Sequence, residues 1–323
     1  MHRGEDEVSK ESCEGLPGGQ GRKRRYRTSL SDRRACMLVP AYITFRLLDV
    51  ADLTVDGSFT TGGAVTVMLI LAGWPAWAAL VIATLAGLLA GLVTGLLHTK
   101  LGIPAILAGI LTQLALFSVN LHIMGMAANK AVSVDKYDLV LSLRYVPSAI
   151  LTGALIALAL VSILYWYFGT EQGSAIRATG NNPAMSRALG INIDNMKLIG
   201  LALSNGMVAL SGGLMAQFQG FADVNMGRGA IVIGLAAVII GEVVGGALLG
   251  KRRNFYGTLS FVVVGGVLYY LVIVVVLWLK LNTNDLKLFT AVVVGLFLAV
   301  PYLRGQRKSS FARLRKKGGG ENA

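Results

Sequence analysis

The stretch FTTGGAVTVMLILAGWPAWAALVIATLAGLLAGLVTGLLH, residues 59–98, decides the fold. It contains no Asp, Glu, Lys or Arg, and it is too long for a single membrane crossing, which takes roughly 20 apolar residues. The run is interrupted at Gly73-Trp74-Pro75, where Pro75 is suited to be the first residue of a new helix. This predicts a short helix of about thirteen residues before the break and a full span over residues 76–97 after it. Helices too short to cross are tolerated where their backbone lines a protein-enclosed cavity. The full span carries Gly87, Gly91 and Gly95, a stripe of small residues that admits a neighbouring helix. Packing within the chain is the preferred reading of that stripe, ahead of subunit contact.

Outward from this stretch, residues 101–129, 145–170, 198–222 and 254–279 are also free of acidic and basic side chains. Buried helices of a large soluble core would show a polar face on some of these runs, and none does. The chain is 54% hydrophobic and only 15% charged. The expected fold is therefore all-α, a polytopic transmembrane helical bundle with about eight spans plus a short non-spanning N-terminal stub. After residues 76–97 the spans are placed at 103–124, 146–168, 197–217, 230–249, 256–279 and 286–302. Residues 37–303 form the transmembrane domain, between a disordered basic tail over 1–36 and a second basic tail over 304–323. Residues 38–48 contain Pro40 and Arg46 and are too short to span or to act as a signal peptide.

A net charge of +13 would suggest nucleic acid in a soluble chain. Here the basic residues sit in the tails and short connections, while the aromatics lie in the apolar runs, so nucleic-acid binding is rejected. The positive-inside rule places the C-terminal tail, with Arg304, Arg307, Lys308 and Arg313, in the cytoplasm. Counting back, the connection at Lys251, Arg252 and Arg253 and the long loop 169–196 are also cytoplasmic. The connections near Asp223 and Asn282, and the loop 127–145, then face outside. Both termini fall on the cytoplasmic side of a multi-pass protein of the cell membrane. Cys13 and Cys36 have neither disulfide nor metal spacing.

The most informative polar segment is EQGSAIRATGNNPAMSRALGIN, residues 171–192. Asn182-Pro183 is a helix start and Gly190 a helix stop, so a short amphipathic helix of about seven residues is expected outside the bilayer. Such an element is dispensable for spanning, and it suits docking to a cytosolic motor subunit; an ordinary capped loop is the competing reading. Polar residues inside the apolar runs are candidates for a solute pathway. Asp56, Ser58 and Thr60 open the first short helix, with Ser58 placed to cap its free N–H groups. Gln113 and Asn120 share a face of their span, Asn205 and Gln217 lie in a later one, and Glu242 ends an apolar helix. For each, interhelical hydrogen bonding is favoured over solute contact. The string GGALLGKR at residues 245–252 imitates a phosphate-binding loop, but it follows a membrane helix and has Arg252 where Ser or Thr would hold Mg²⁺. No ATPase site, cofactor site, metal-ligand pair or acid–base dyad is read from the chain, which is expected to be a translocation subunit and not an enzyme.

The 171–192 loop, through Gly173, Ala175, Arg177, Gly180, Asn181, Pro183, Ala184 and Gly190-Ile191, resembles the coupling loop of ABC-importer permeases for branched-chain amino acids, ribose and similar solutes. YITFRLLDVADLTVDGSF (42–59) and FQGFADVNMGRGAIVIGLAAVIIGE (218–242) are similar to the amino-acid permease subgroup that includes tryptophan-type transporters. The resemblance covers residues 39–302. It implies a homodimer in the lipid bilayer, cytosolic ABC ATPase subunits on the coupling loops and an extracytoplasmic substrate-binding protein. Gly180, Asn181, Asn182, Pro183, Arg187 and Gly190 would then contact the ATPase, and the solute would be a small molecule, an amino acid by preference. The pattern departs at its start, where a full first helix would precede the segment like YITFRLLD; a truncated chain and a variant with a re-entrant stub are both open. A stand-alone secondary transporter or channel is the alternative, but that class favours ionisable pairs within the spans, and these runs offer almost none.

Overall fold

The computed structural model of the chain describes residues 52–133, 137, 139–141, 146–249, 255–278 and 295. The expected basic tails, the stub at 38–48, the Lys251–Arg253 connection and, apart from residue 295, the last span at 286–302 lie outside the described residues. In chain order the elements are α1 Thr54–Leu71, α2 Ala76–Thr99, α3 Ala105–Ile123, β1 Asn129–Ala131, α4 Val146–Gly169, α5 Glu171–Asn181, α6 Pro183–Ala188, α7 Ile193–Gln219, β2 Phe221–Asp223, α8 Ala230–Leu249 and α9 Phe255–Trp278. Among the described residues five helices are long and apolar enough to cross a membrane: α1, α2, α3, α7 and the Leu151–Gly169 part of α4.

The bundle is organised around α1 and α7. Each buries 72% of its most apolar stretch, against 39% for α2 and 22% for α3. Glycine makes this possible by removing the side chains that would hold the backbones apart. A Cβ on Gly62 would run into the Ala209 carbonyl of α7, and one on Gly212 into the Phe59 carbonyl of α1. The stripe on α2 serves the same helix. Gly87 faces Asn205 and Ala209, Gly91 faces the Leu201 carbonyl, and a Cβ on Gly95 would stand 3.1 Å from Leu198 Cα. The small-residue stripe is thus used within the chain. The same device recurs between α8 and α9, where Gly241 meets the Phe261 carbonyl and Gly265 the Ala237 carbonyl.

Three expectations are corrected. The helix before the break is 18 residues long, not thirteen, because it starts at Thr54, whose N–H donates to Asp52 Oδ1 at 2.9 Å. Ser58 is consequently inside the helix and cannot cap it. Second, Pro75 is the extended N-cap of α2 and Ala76 its first residue. Third, the loop after α4 holds two helices. Residues 171–181 form α5, which the sequence reading left as loop; Ile176 anchors it in a core cluster with Phe168, Leu201 and Val262. The break between α5 and α6 is the single extended residue Asn182, with φ −152° and ψ 93°.

Among the described residues the strands form one antiparallel ribbon, pairing Asn129 with Asp223 and Ala131 with Phe221. It joins the connection after α3 to the connection after α7. At the opposite end of α7 Lys197 Nζ lies 3.5 Å from His98 Nε2 of α2.

Because a backbone collision cannot be relieved by a rotamer change, Gly62→Val is expected to destabilise the detergent-solubilised protein by ~3 kcal/mol in chemical unfolding. Gly169→Ala, where nothing lies within 4 Å of the added carbon, is the matched control and should leave the midpoint unchanged. Equal midpoints for the two variants would contradict the close α1–α7 contact.

Candidate functional site

The polar residues of the bundle separate into two kinds, those that are saturated and those that are not. Asn205, fully buried in α7, accepts from Ser58 Oγ at 2.7 Å and donates to Asp52 Oδ2 at 2.6 Å and to the Leu201 carbonyl at 3.0 Å. Thr54 and Thr94 share a hydroxyl contact of 2.8 Å between α1 and α2. Every polar atom of Asn205 is used, so Asn205 and Ser58 staple helices together and are not free to meet a solute. Asp52 completes this staple and was not singled out from the sequence, since it precedes the apolar run; its one local signal is its place two residues before a helix start. Gln217 is also spent, accepting from the Val140 N–H at 3.1 Å and donating to the Ala76 carbonyl at 3.2 Å. It ties the loop after β1 to the start of α2.

Asp56 has a different task. After Gly220 the chain does not proceed directly into α8; it turns back along α1. The Met226 sulfur lies against Gly63, and the Gly227 N–H donates to Thr60 Oγ1 at 3.2 Å. Gly229 N and Ile231 N then donate to Asp56 Oδ2 and Oδ1 at 3.1 and 3.0 Å. From Gly63 to Asp56 is about 10 Å of helix rise, so the segment from Met226 to the start of α8 runs that far back along α1. A carboxylate from α1 thereby satisfies the free N–H groups at the start of α8, which also favour a negative charge. Gly227 permits the approach, since a Cβ there would strike the Asp56 carbonyl.

This re-entrant segment forms one wall of a cavity of about 240 Å³. Asp56, Gly57 and Thr60 of α1 supply its base, and Gln113, Leu114, Phe117 and Asn120 of α3 face them. Val224 and Arg228 complete the wall. Four residues singled out in the sequence, Asp56, Thr60, Gln113 and Asn120, thus meet at one place. Asn120 is only 1% exposed, and among the described residues its amide nitrogen and oxygen both lack a hydrogen-bond partner. Arg228 is the cavity-lining residue that the sequence reading missed; it lies in a segment quoted for its resemblance, with nothing in its spacing to mark it. Beyond the segment is a second cavity of about 290 Å³, bordered by Phe59, Met215, Asp223 and again Arg228. Glu242, on α8, lines neither cavity.

The second candidate is the α5–α6 pair. Asn182 Oδ1 accepts from the Met185 N–H at 3.1 Å, and Pro183 begins α6. Gly190, at φ +80°, supplies the left-handed residue that lets the chain leave α6, a conformation costly for other residues. Asn181, Asn182, Pro183, Arg187 and Gly190 are exposed, while Gly180 is half-buried. Met185 and Leu189, 59% and 67% exposed, give the tip two apolar knobs beside the Arg187 cation.

The family described as branched-chain amino acid transport system / permease component matches residues 36–301. The tyrosine transport system permease protein of Clostridioides difficile (strain R20291) is 38% identical over 283 residues, 86% of this chain and 91% of that protein. An uncharacterized protein of Rickettsia prowazekii (strain Madrid E) is 32% identical over 265 residues, 81% of this chain and 92% of its own length. An autoinducer 2 import system permease protein of Yersinia pseudotuberculosis (serotype O:1b, strain IP 31758) is 31% identical over 156 residues, 48% of this chain and 44% of that protein. No solved structure matches.

The link from Asp56 to α8 is directly measurable. Asp56→Ala removes both acceptors for Gly229 and Ile231, so amide exchange at these two positions should accelerate by about ten-fold or more in hydrogen–deuterium exchange. Asp56→Asn keeps one acceptor oxygen and should fall between. Unchanged protection in the alanine variant would remove the cap from the account.

Proposed function

The chain belongs to the family of branched-chain amino acid transport system permease components, and from that membership we propose that it is the pathway-forming subunit of an ATP-driven ABC importer for an amino acid. The tyrosine transport permease, aligned over most of both chains, makes an aromatic amino acid the first solute to test. The likeness to the autoinducer 2 permease, though shorter, also belongs to an import system. In this reading two copies of the chain form the pathway in the inner membrane. An extracytoplasmic binding protein delivers solute at the end that carries the β1–β2 ribbon, and two cytosolic ATPase subunits act at the other. Both termini are cytoplasmic.

The observation that carries the coupling step is the α5–α6 pair. A loop that merely reconnects two spans does not need an eleven-residue helix, a capped six-residue helix and a one-residue joint between them. The helix α5 is anchored by Ile176 in the same core cluster as Leu201 of α7, so a displacement of the pair passes into the helix around which the bundle is built. The exposed tip, with Met185, Arg187 and Leu189, offers an apolar and cationic contact to a partner. ATP-driven motion of that partner would tilt α7 against α1 and α2 and so switch access to the pathway. Ser58, Asn205 and Gln217 have a holding role here, not a solute-contacting one.

The test is co-purification of the intact chain with a cytosolic ATPase after solubilisation, together with L-tyrosine uptake by the reassembled system. Arg187→Glu reverses the charge at the tip, and Gly190→Pro demands φ near −65° where the chain has +80°. Each should lower ATPase association and uptake by about ten-fold or more, with Asn182→Ala, which costs ~1 kcal/mol of cap energy, giving a smaller loss. If no ATPase accompanies the intact chain, the importer reading loses its support.

A further inference from the structure

We propose that the cavity between α1, α3 and the re-entrant segment is a zwitterion site: Arg228 receives a solute carboxylate, Asp56 its ammonium group, and Asn120 the hydroxyl of its side chain. The inference rests on the amino-acid reading above and names the site and the side-chain chemistry that the permease itself selects.

The charged groups come first. Arg228 and Asp56 line the same cavity, and they are held side by side because Gly229, the residue after Arg228, donates its N–H to Asp56 Oδ2. Each Asp56 oxygen accepts one backbone N–H, and a carboxylate offers about four acceptor sites, so capacity for an ammonium group remains. A guanidinium presents two parallel N–H groups to a carboxylate. An α-amino acid carries both complementary charges on one carbon, at the spacing of neighbouring groups.

The side chain follows from the other wall. From the charged pair the cavity continues along Leu114 and Phe117, one helical turn apart on α3, to Asn120 one turn further. Apolar and aromatic surface suits a flat ring. Asn120 is the unexplained group of this cavity, since among the described residues neither polar atom of its buried amide is paired, an arrangement that is costly and calls for a partner. Its oxygen accepts and its nitrogen donates. A phenolic hydroxyl, one donor with acceptor lone pairs, can answer both. A hydrocarbon ring leaves the amide unpaired, which is the kind of difference that separates a hydroxylated side chain from its hydrogen analogue. Gly57 shapes the base of the site: a Cβ there would stand 3.0 Å from Leu116 and 3.3 Å from the Gln113 backbone, so α3 could not come as close.

The experiment uses the full chain in lipid nanodiscs and measures equilibrium binding of radiolabelled L-tyrosine, with L-phenylalanine, tyramine and 3-(4-hydroxyphenyl)propionate as competitors. L-Tyrosine should compete about ten-fold better than each of the three, which lack the hydroxyl, the carboxylate and the ammonium respectively. Arg228→Gln should weaken L-tyrosine by about ten-fold and leave tyramine unchanged, because tyramine has no carboxylate to lose. Asn120→Leu should bring L-tyrosine and L-phenylalanine to equal affinity. The proposal is overturned if the wild-type chain does not bind L-tyrosine, or if Asn120→Leu raises thermal stability while keeping the wild-type preference, which would make the amide a packing defect. Uptake by the assembled complex separates the two readings. Amino-acid uptake with wild-type preference in both variants removes this site alone, whereas no amino-acid uptake by the wild-type complex removes the importer reading with it.

Discussion

The close approach of α7 to α1 and α2 is the constraint on which the rest of the structure depends. In hydrocarbon there is no hydrophobic gain from bringing apolar helices together, so their association relies on close packing and on hydrogen bonds between them. Both are present at the same level of the bundle. Gly62, Gly87, Gly91 and Gly212 let the backbones touch, and this contact brings Asn205 within reach of Asp52 and Ser58. A larger residue at any of the four would separate the helices and also leave buried polar groups unpaired. Packing and polar satisfaction are therefore one requirement, not two.

From that contact the cavity follows. With α7 seated on α1, the chain after Gly220 has room to run back along α1, and Asp56 is in position to receive the first N–H groups of α8. A helix start deep in a bundle leaves donors with no water to satisfy them, and a carboxylate from a neighbouring helix meets that need without a local capping residue. The same arrangement places a charged side chain in the wall of a cavity where composition alone would predict only hydrocarbon.

Much of this was legible in the sequence, for identifiable reasons. Uncharged runs with breaks located α2, α3, α4, α7, α8 and α9 to within a few residues, because lipid demands long apolar segments. Asn182, Pro183 and Gly190 located α6, because caps act locally. The start of α1 was not legible: it is fixed by Asp52, whose other oxygen is held by Asn205 far along the chain. Nor was α5, a helix whose content of Gly, Ser and Thr reads as loop and whose stability comes from Ile176 in a distant core cluster. Asp56, Thr60, Gln113 and Asn120 were recognised as out of place in apolar runs, but the sequence did not say which would be spent on other helices and which would share a cavity. Asn205 and Gln217 look just as anomalous in the sequence and are fully engaged. Arg228 needed the re-entrant path to be seen before it had a role.

Arg228 borders both cavities, because the segment that carries it is the partition between them. The partition is tied to α1 at Thr60 and Asp56, so both cavities have a wall whose position is set by the same two side chains. The connection between α7 and α8 is in this sense a septum, moored to α1 by Asp56.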